Sequence, residues 1–149
     1  MSGLRELYQE IILDHSRAPR NSGSLPEPDS SAEGHNPQSG DRLTVTLNMS
    51  ERSVTDIRIQ VSACAICAAS ASTMTEAVKG RSFDEIIALF DAFHNVVTGD
   101  HEDEARAALG KLAVFGGVAE FPMRVKCAPL PWHTLRSAMD GADSPAKTE

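Results

Sequence analysis

Apolar side chains recur along the chain at two periods, and the changes from one period to the other divide it into elements. Leu4, Tyr8, Ile11, Ile12 and His15 share one face at helical spacing while Arg5, Glu6, Glu10 and Asp14 fall elsewhere, which predicts an amphipathic helix over residues 3–16. Ala18, Pro19 and Arg20 end it. From Asn21 to Gly40 the period dissolves into Ser, Pro, Gly and Asp, so this stretch reads as a long loop of the kind that usually carries function. A period of two follows. Leu43, Val45, Leu47 and Met49 alternate with Thr44, Thr46 and Asn48, and after a turn near 50–53 Ile57, Ile59 and Val61 alternate again, predicting an antiparallel hairpin.

Helical spacing returns after Cys64, where Cys67, Ala71, Met74 and Val78 line up and Gly80 suits the position just past the helix end. Ser82 and Glu85 form a capping box ahead of Ile86, Ile87, Leu89, Phe90 and Phe93, predicting a helix to about Val97. Glu102, Asp103 and Glu104 fit the first turn of a further helix carrying Leu109 and Leu112, and Gly116, Gly117 and Pro122 then break the chain. Proline is tolerated only near a helix start, so Pro129 and Pro131 place the last helix at about 130–139. The pattern as a whole is α+β: one domain over residues 1–140, a small antiparallel sheet of about three strands with helices packed on one side, and a flexible tail over 141–149.

Charge and cysteine usage narrow the possible functions. A formal net charge of −7 without any run of Lys or Arg argues against nucleic acid and anionic membrane as partners and favours a neutral or basic protein surface. No apolar run approaches the roughly 18 residues of a membrane span, and the opening MSGLRELYQE lacks the form of a signal peptide, so the expected compartment is the cytosol. Three cysteines at irregular spacing do not make a secreted disulfide framework, which leaves free, metal-bound or reactive thiols. GxSxG, P-loop and GxGxxG motifs are all missing, so hydrolase, nucleotide and dinucleotide readings have no support.

The candidate chemistry lies at three junctions: Asp41 before the first predicted strand, Cys64 with Cys67 where strand becomes helix, and Cys127 before the last helix. A CxxC at a helix N-terminus meets free N–H groups and the positive end of the helix dipole, both of which favour thiolate. Three cysteines and one aspartate would be an acceptable tetrahedral zinc set, and buried cysteines that are simply small hydrophobes are the plain alternative. Cys67 is the open case, because its register with Ala71, Met74 and Val78 fits a core stripe as well as a chelating turn. Of the five histidines, His35 in a polar loop beside Gly34 could be a ligand but fits a solvated or turn residue better, His94 and His133 fit helix packing or surface, and His15 and His101 fit helix ends. Arg124 and Lys126 could stabilise an anionic sulfur near Cys127, although such alternating basic residues are more often solvated.

Taken together, LYQEIILDHSRAPRN at 7–21, GHNPQSGDRLTV at 34–45, CAICAASASTMTEAVKG at 64–80, LGKLAVFGGVAEFPMRVKCA at 109–128 and WHTL at 132–135 resemble the SufU branch of the IscU/NifU-like iron–sulfur cluster assembly proteins. The stretch between Phe90 and Gly117 resembles the insertion of that branch, and Lys126 stands where the IscU branch has His. The resemblance implies an α+β fold, a bound zinc, and sulfur taken from a SufS-type cysteine desulfurase, with a SufBCD-type scaffold as a further partner. Its metal ligands fall on Ser39, Asp41, Cys64 and Cys127, the first of which departs from the family's Cys, both ligand and sulfur acceptor there. A serine hydroxyl binds zinc weakly and cannot carry a persulfide. Cys67, where the family more often has Ser, is the candidate replacement, so Cys67, Cys64 and Cys127 are all sulfur-acceptor candidates.

The expected role is thus a zinc-dependent sulfurtransferase-like accessory protein rather than a stand-alone enzyme. Iron or an iron–sulfur cluster is the alternative to zinc, since three thiolates and a carboxylate could also hold iron in a scaffold. Two rivals of other classes are a non-catalytic binding protein with a structural zinc and a thiol–disulfide oxidoreductase using Cys64 and Cys67. The second lacks any thioredoxin-like βαβ arrangement around the pair.

Overall fold

The structure, a computed structural model, describes residues 2–37, 40–97, 112, 115, 127–140 and 146–147. Helix α1 runs Ser2–Arg17 and is followed by strands β1 (Ser30–Asn36), β2 (Asp41–Ser50) and β3 (Ser53–Ser62). Helices α2 (Ala65–Val78), α3 (Phe83–Val97) and α4 (Leu130–Asp140) and a two-residue strand β4 (Ala146–Lys147) complete the described elements. The expected helix carrying Leu109, the breakers Gly116, Gly117 and Pro122, and the residues Ser39, His101, Arg124 and Lys126 lie outside the described residues. Leu112 and Phe115 are described, and both are buried in the core.

The sheet order is β3-β2-β1-β4, with β1, β2 and β3 antiparallel and β4 parallel to β1 through Gly34 and His35. The predicted hairpin is β2 and β3, and its turn holds Glu51 and Arg52 at φ 50° and 60°, the left-handed geometry that matches strand twist in a two-residue loop. Strand β1 corrects the reading of residues 21–40 as one loop. Its inward positions are Ala32, Gly34 and Asn36, which alternate in burial but carry no large apolar side chain, so the period of two has no hydrophobic signature. Within the tail expected to fray, Ala146 and Lys147 extend the sheet beside β1.

Leu43, Val45 and Leu47 of β2 and Ile57 and Ile59 of β3 face the helices, where Cys67, Ala71, Met74 and Val78 of α2 are all fully buried. The stripe read from the sequence is therefore the face that α2 turns to the core. Phe93 of α3 stacks on Trp132 of α4 at 5.2 Å between centroids and touches Phe115 at 5.7 Å, closing the far side of the core. His15 departs from its expected helix-end role. It is buried between α1 and α2, with Nδ1 2.7 Å from Ser72 Oγ and Nε2 3.6 Å from Glu76 Oε1. Ser72 Oγ also accepts the Arg20 N–H at 2.8 Å, so a small polar seam joins the two helices. No described helix is long and apolar enough to cross a membrane.

The capping box at α3 is formed as its sequence predicts. Glu85 N–H donates to Ser82 Oγ at 3.2 Å, and Ser82 N–H donates to Glu85 Oε1 at 3.2 Å. Ser82→Ala is expected to lower stability by about 1 kcal/mol, the usual worth of an N-cap. Urea unfolding checks this, and a midpoint unchanged at constant m value would remove the cap from the account.

Candidate metal centre

Three chain segments distant in sequence meet at the end of the sheet where β2 begins and β3 ends. The β1–β2 hairpin brings in Asp41: Asn36 pairs with Asp41, and the Gly40 N–H donates to the Asn36 carbonyl at 2.8 Å across a tight connection in which Gly40 has φ 79°. Strand β3 ends at Ser62, and two residues later Cys64 is the N-cap of α2. Cys127 comes in from the start of the α4 region, where Ser70 Oγ of α2 donates to the Ala128 carbonyl and ties that segment down.

One ligand atom from each of Asp41, Cys64 and Cys127 lies within 4.8 Å of the other two. Asp41 and Cys127 are 3% and 4% exposed, whereas Cys64 opens to solvent. Asp41 binds Cys64 twice: Oδ1 accepts the Cys64 N–H at 2.8 Å, and Oδ2 accepts the thiol at 3.6 Å. Cys64 Sγ in turn accepts the Cys67 N–H at 3.5 Å, the capping bond of α2.

The donor set suits a cation of the zinc type. Tetrahedral zinc, with Zn–S near 2.3 Å and Zn–O near 2.0 Å, separates a thiolate and a carboxylate oxygen by about 3.5 Å, and the Cys64–Asp41 separation of 3.6 Å is close to that. The electrostatics point the same way. Burial, followed by the hydrogen bonds and charges of Asp41 and Cys64, pushes the Cys127 thiol up to about 12. A divalent ion reverses that logic, since a coordinating thiol is deprotonated outright.

Cys67 is placed differently. Its side chain is 0% exposed among the core residues of α2 and is outside the set of three ligand atoms. Burial pushes its thiol far above the ordinary value, and the charges of Asp41, Cys64 and Cys127 add to this. His35 lies on β1 rather than in a loop, paired with Arg42 on the adjacent strand. His94 is exposed on α3, and His133 is partly buried on α4 with its ring edge-on to Phe90 at 5.1 Å. Burial lowers the His133 pKa, with the nearby His94 and Arg136 charges adding to the effect. Neither belongs to the metal group. Two contributors escape a side-chain reading: the backbone N–H of Cys67, and Asn36, buried at the base of the Asp41 hairpin. The Asn36-Pro37 dipeptide, a turn former, is the signal that could have marked the latter.

Residues 7–128 match the NifU-like N-terminal domain. This chain belongs to that family. It is 37% identical over 139 residues to the iron–sulfur cluster assembly scaffold protein IscU of Streptococcus pyogenes, covering 93% of this chain and 86% of the relative. It is 33% identical over 138 residues to the zinc-dependent sulfurtransferase SufU of Bacillus subtilis, covering 93% and 92%. Among solved structures, a protein of Fervidobacterium islandicum named as an iron–sulfur cluster scaffold of the SUF system superposes with a TM-score of 0.81 at 31% identity, covering 87% of this chain and 94% of that one. The fold expected from the sequence, a three-stranded antiparallel sheet with helices, is the fold of these NifU-like relatives.

Proposed function

We propose that this chain is a cytoplasmic zinc-binding sulfur-transfer protein of iron–sulfur cluster assembly, taking persulfide sulfur from a SufS-type cysteine desulfurase and delivering it toward a SufBCD-type scaffold. The observation that carries the reading is the convergence of Asp41, Cys64 and Cys127 within 4.8 Å. The B. subtilis relative named as a zinc-dependent sulfurtransferase supports it over nearly the same length. Zinc would be held by these three residues, and it would supply thiolates that stay deprotonated at neutral pH. Asp41 orients Cys64 through the N–H bond at Oδ1 and leaves Oδ2 facing the thiol. Cys127 and the packed core beneath close the inner side of the site, so a partner approaches from the Cys64 side. Among the described residues three protein donors gather here, and a tetrahedral ion held by them would have one further position for another ligand.

A scaffold role for a cluster is the second reading, favoured by the S. pyogenes relative named as a scaffold and by the affinity of thiolates for iron. Elemental analysis of the purified protein separates the two. About one zinc per chain, retained in Cys67→Ser and lost in Asp41→Ala, together with faster cysteine turnover by a SufS-type desulfurase, is the expected result. Iron and sulfide in place of zinc would favour the scaffold. Zinc that is retained with no effect on any desulfurase would reduce the site to a structural one in a binding protein.

A further inference from the structure

Given sulfur transfer at this site, the chain has three thiols that could take the sulfur, Cys64, Cys67 and Cys127, and the structure treats them unequally. Transfer from a donor persulfide requires the attacking sulfur to meet the donor's outer sulfur along the S–S axis. Cys67 is 0% and Cys127 4% exposed, so a second protein's cysteine cannot reach either without opening the core. Cys64 is exposed. Its sulfur also accepts the Cys67 N–H at 3.5 Å at the N-terminus of a 14-residue helix. Asp41 holds the residue by its N–H and offers Oδ2 at 3.6 Å to the thiol proton.

We propose that Cys64 is the sulfur acceptor of this chain, carrying the transferred atom as a cysteine persulfide; the assignment rests on the sulfur-transfer reading above. In the step, the Cys64 thiolate attacks the outer sulfur of a donor cysteine persulfide. A bond forms between Cys64 Sγ and that sulfur, the donor's own S–S bond breaks, and the donor cysteine leaves as a thiolate. One sulfur–sulfur bond replaces another, so no oxidant or reductant is consumed. The exposure of Cys64 leaves the new persulfide open to whatever accepts the sulfur next.

The test uses the zinc-loaded full chain, a SufS-type desulfurase and cysteine, followed by alkylation and fragment-ion mapping of the sulfur-bearing residue. The expected result is an extra sulfur on Cys64 in the wild-type protein, lost in Cys64→Ser and kept in Cys67→Ser, which retains the backbone N–H. The wild-type map needs no substitution, so a Cys64→Ser protein that fails to fold does not block the test. Sulfur found on Cys67 or Cys127 overturns the acceptor assignment and leaves the transfer reading standing. Sulfur on no cysteine of the zinc-loaded protein overturns both. Glutathione persulfide serves as a small donor that needs no docking, and labelling of Cys127 or Cys67 ahead of Cys64 by this reagent also counts against the assignment.

Discussion

Chelating the proposed zinc is expected to lower the melting temperature by about 5–10 °C, and the same treatment is expected to leave Cys127→Ser unmoved. Asp41 opens β2, Cys64 caps α2 and Cys127 precedes α4, so these candidate ligands come together only in the folded chain. A ligand bound only by the native state stabilises it by about 2.7 kcal/mol when present at a hundred times its dissociation constant. In a chain of this length each kcal/mol moves the transition by about 2–4 °C. Removing the Cys127 thiol takes one of the three donors and should abolish the difference between chelated and zinc-supplemented samples.

The pH dependence has a definite sign. In the metal-free fold the Cys127 thiol is raised from 9.0 to about 12, so the folded state holds this proton more tightly than the unfolded one. The stability it contributes without metal is full below the ordinary thiol range and is lost as pH rises toward 12. Metal binding must displace thiol protons, so zinc stabilisation grows with pH over the neutral and mildly alkaline range. A larger chelator effect at pH 6 than at pH 8, or equal effects in wild type and Cys127→Ser, would contradict a zinc site built on these residues.

What could be read from the sequence followed the size of the side chains involved. The hairpin of β2 and β3, the core stripe of α2 and the capping box of α3 announce themselves because Leu, Val, Ile and Met, or a Ser-to-Glu spacing, repeat at the element's own period. Strand β1 did not, because Ala32, Gly34 and Asn36 face inward where α4 comes close. His15 was obscure for a related reason: its partners Ser72 and Glu76 are polar residues on a neighbouring helix, and hydrophobic periodicity is silent about polar seams. At the site, Asp41, Cys64 and Cys127 could be named from residue type and resemblance, and the structure gathers those three. The resemblance placed Ser39 beside them, outside the described residues, and position alone could not divide Cys67 between ligand and core. Its 0% exposure and absence from the three-atom set, with its N–H nonetheless donated to Cys64, separate the side chain's role from the backbone's.

The same inconspicuous strand yields the second large effect. Gly34→Ala is expected to destabilise the protein by about 1–3 kcal/mol, the range for overpacking a well-filled interior, even though replacing a strand glycine by alanine ordinarily helps by about 0.5–1 kcal/mol. A Cβ at Gly34 would lie 1.9 Å from Thr134 Oγ1 and 3.1 Å from both Thr134 Cβ and Leu43 Cδ2. Thr134 cannot simply turn away, because it is fully buried and its hydroxyl donates to the Leu130 carbonyl at 2.8 Å. The strand must move instead, and two residues on it carries Asn36, the partner of Asp41. Zinc affinity should therefore fall along with stability in Gly34→Ala. Thr134→Ala removes the nearest obstacle, and the double substitution should be less destabilised than the sum of the single ones by about 1 kcal/mol or more. Urea unfolding of the four proteins measures this coupling. Additive behaviour, or a Gly34→Ala protein within about 0.5 kcal/mol of wild type, would show that β1 and α4 can separate without cost and that Asp41 is not held by their contact.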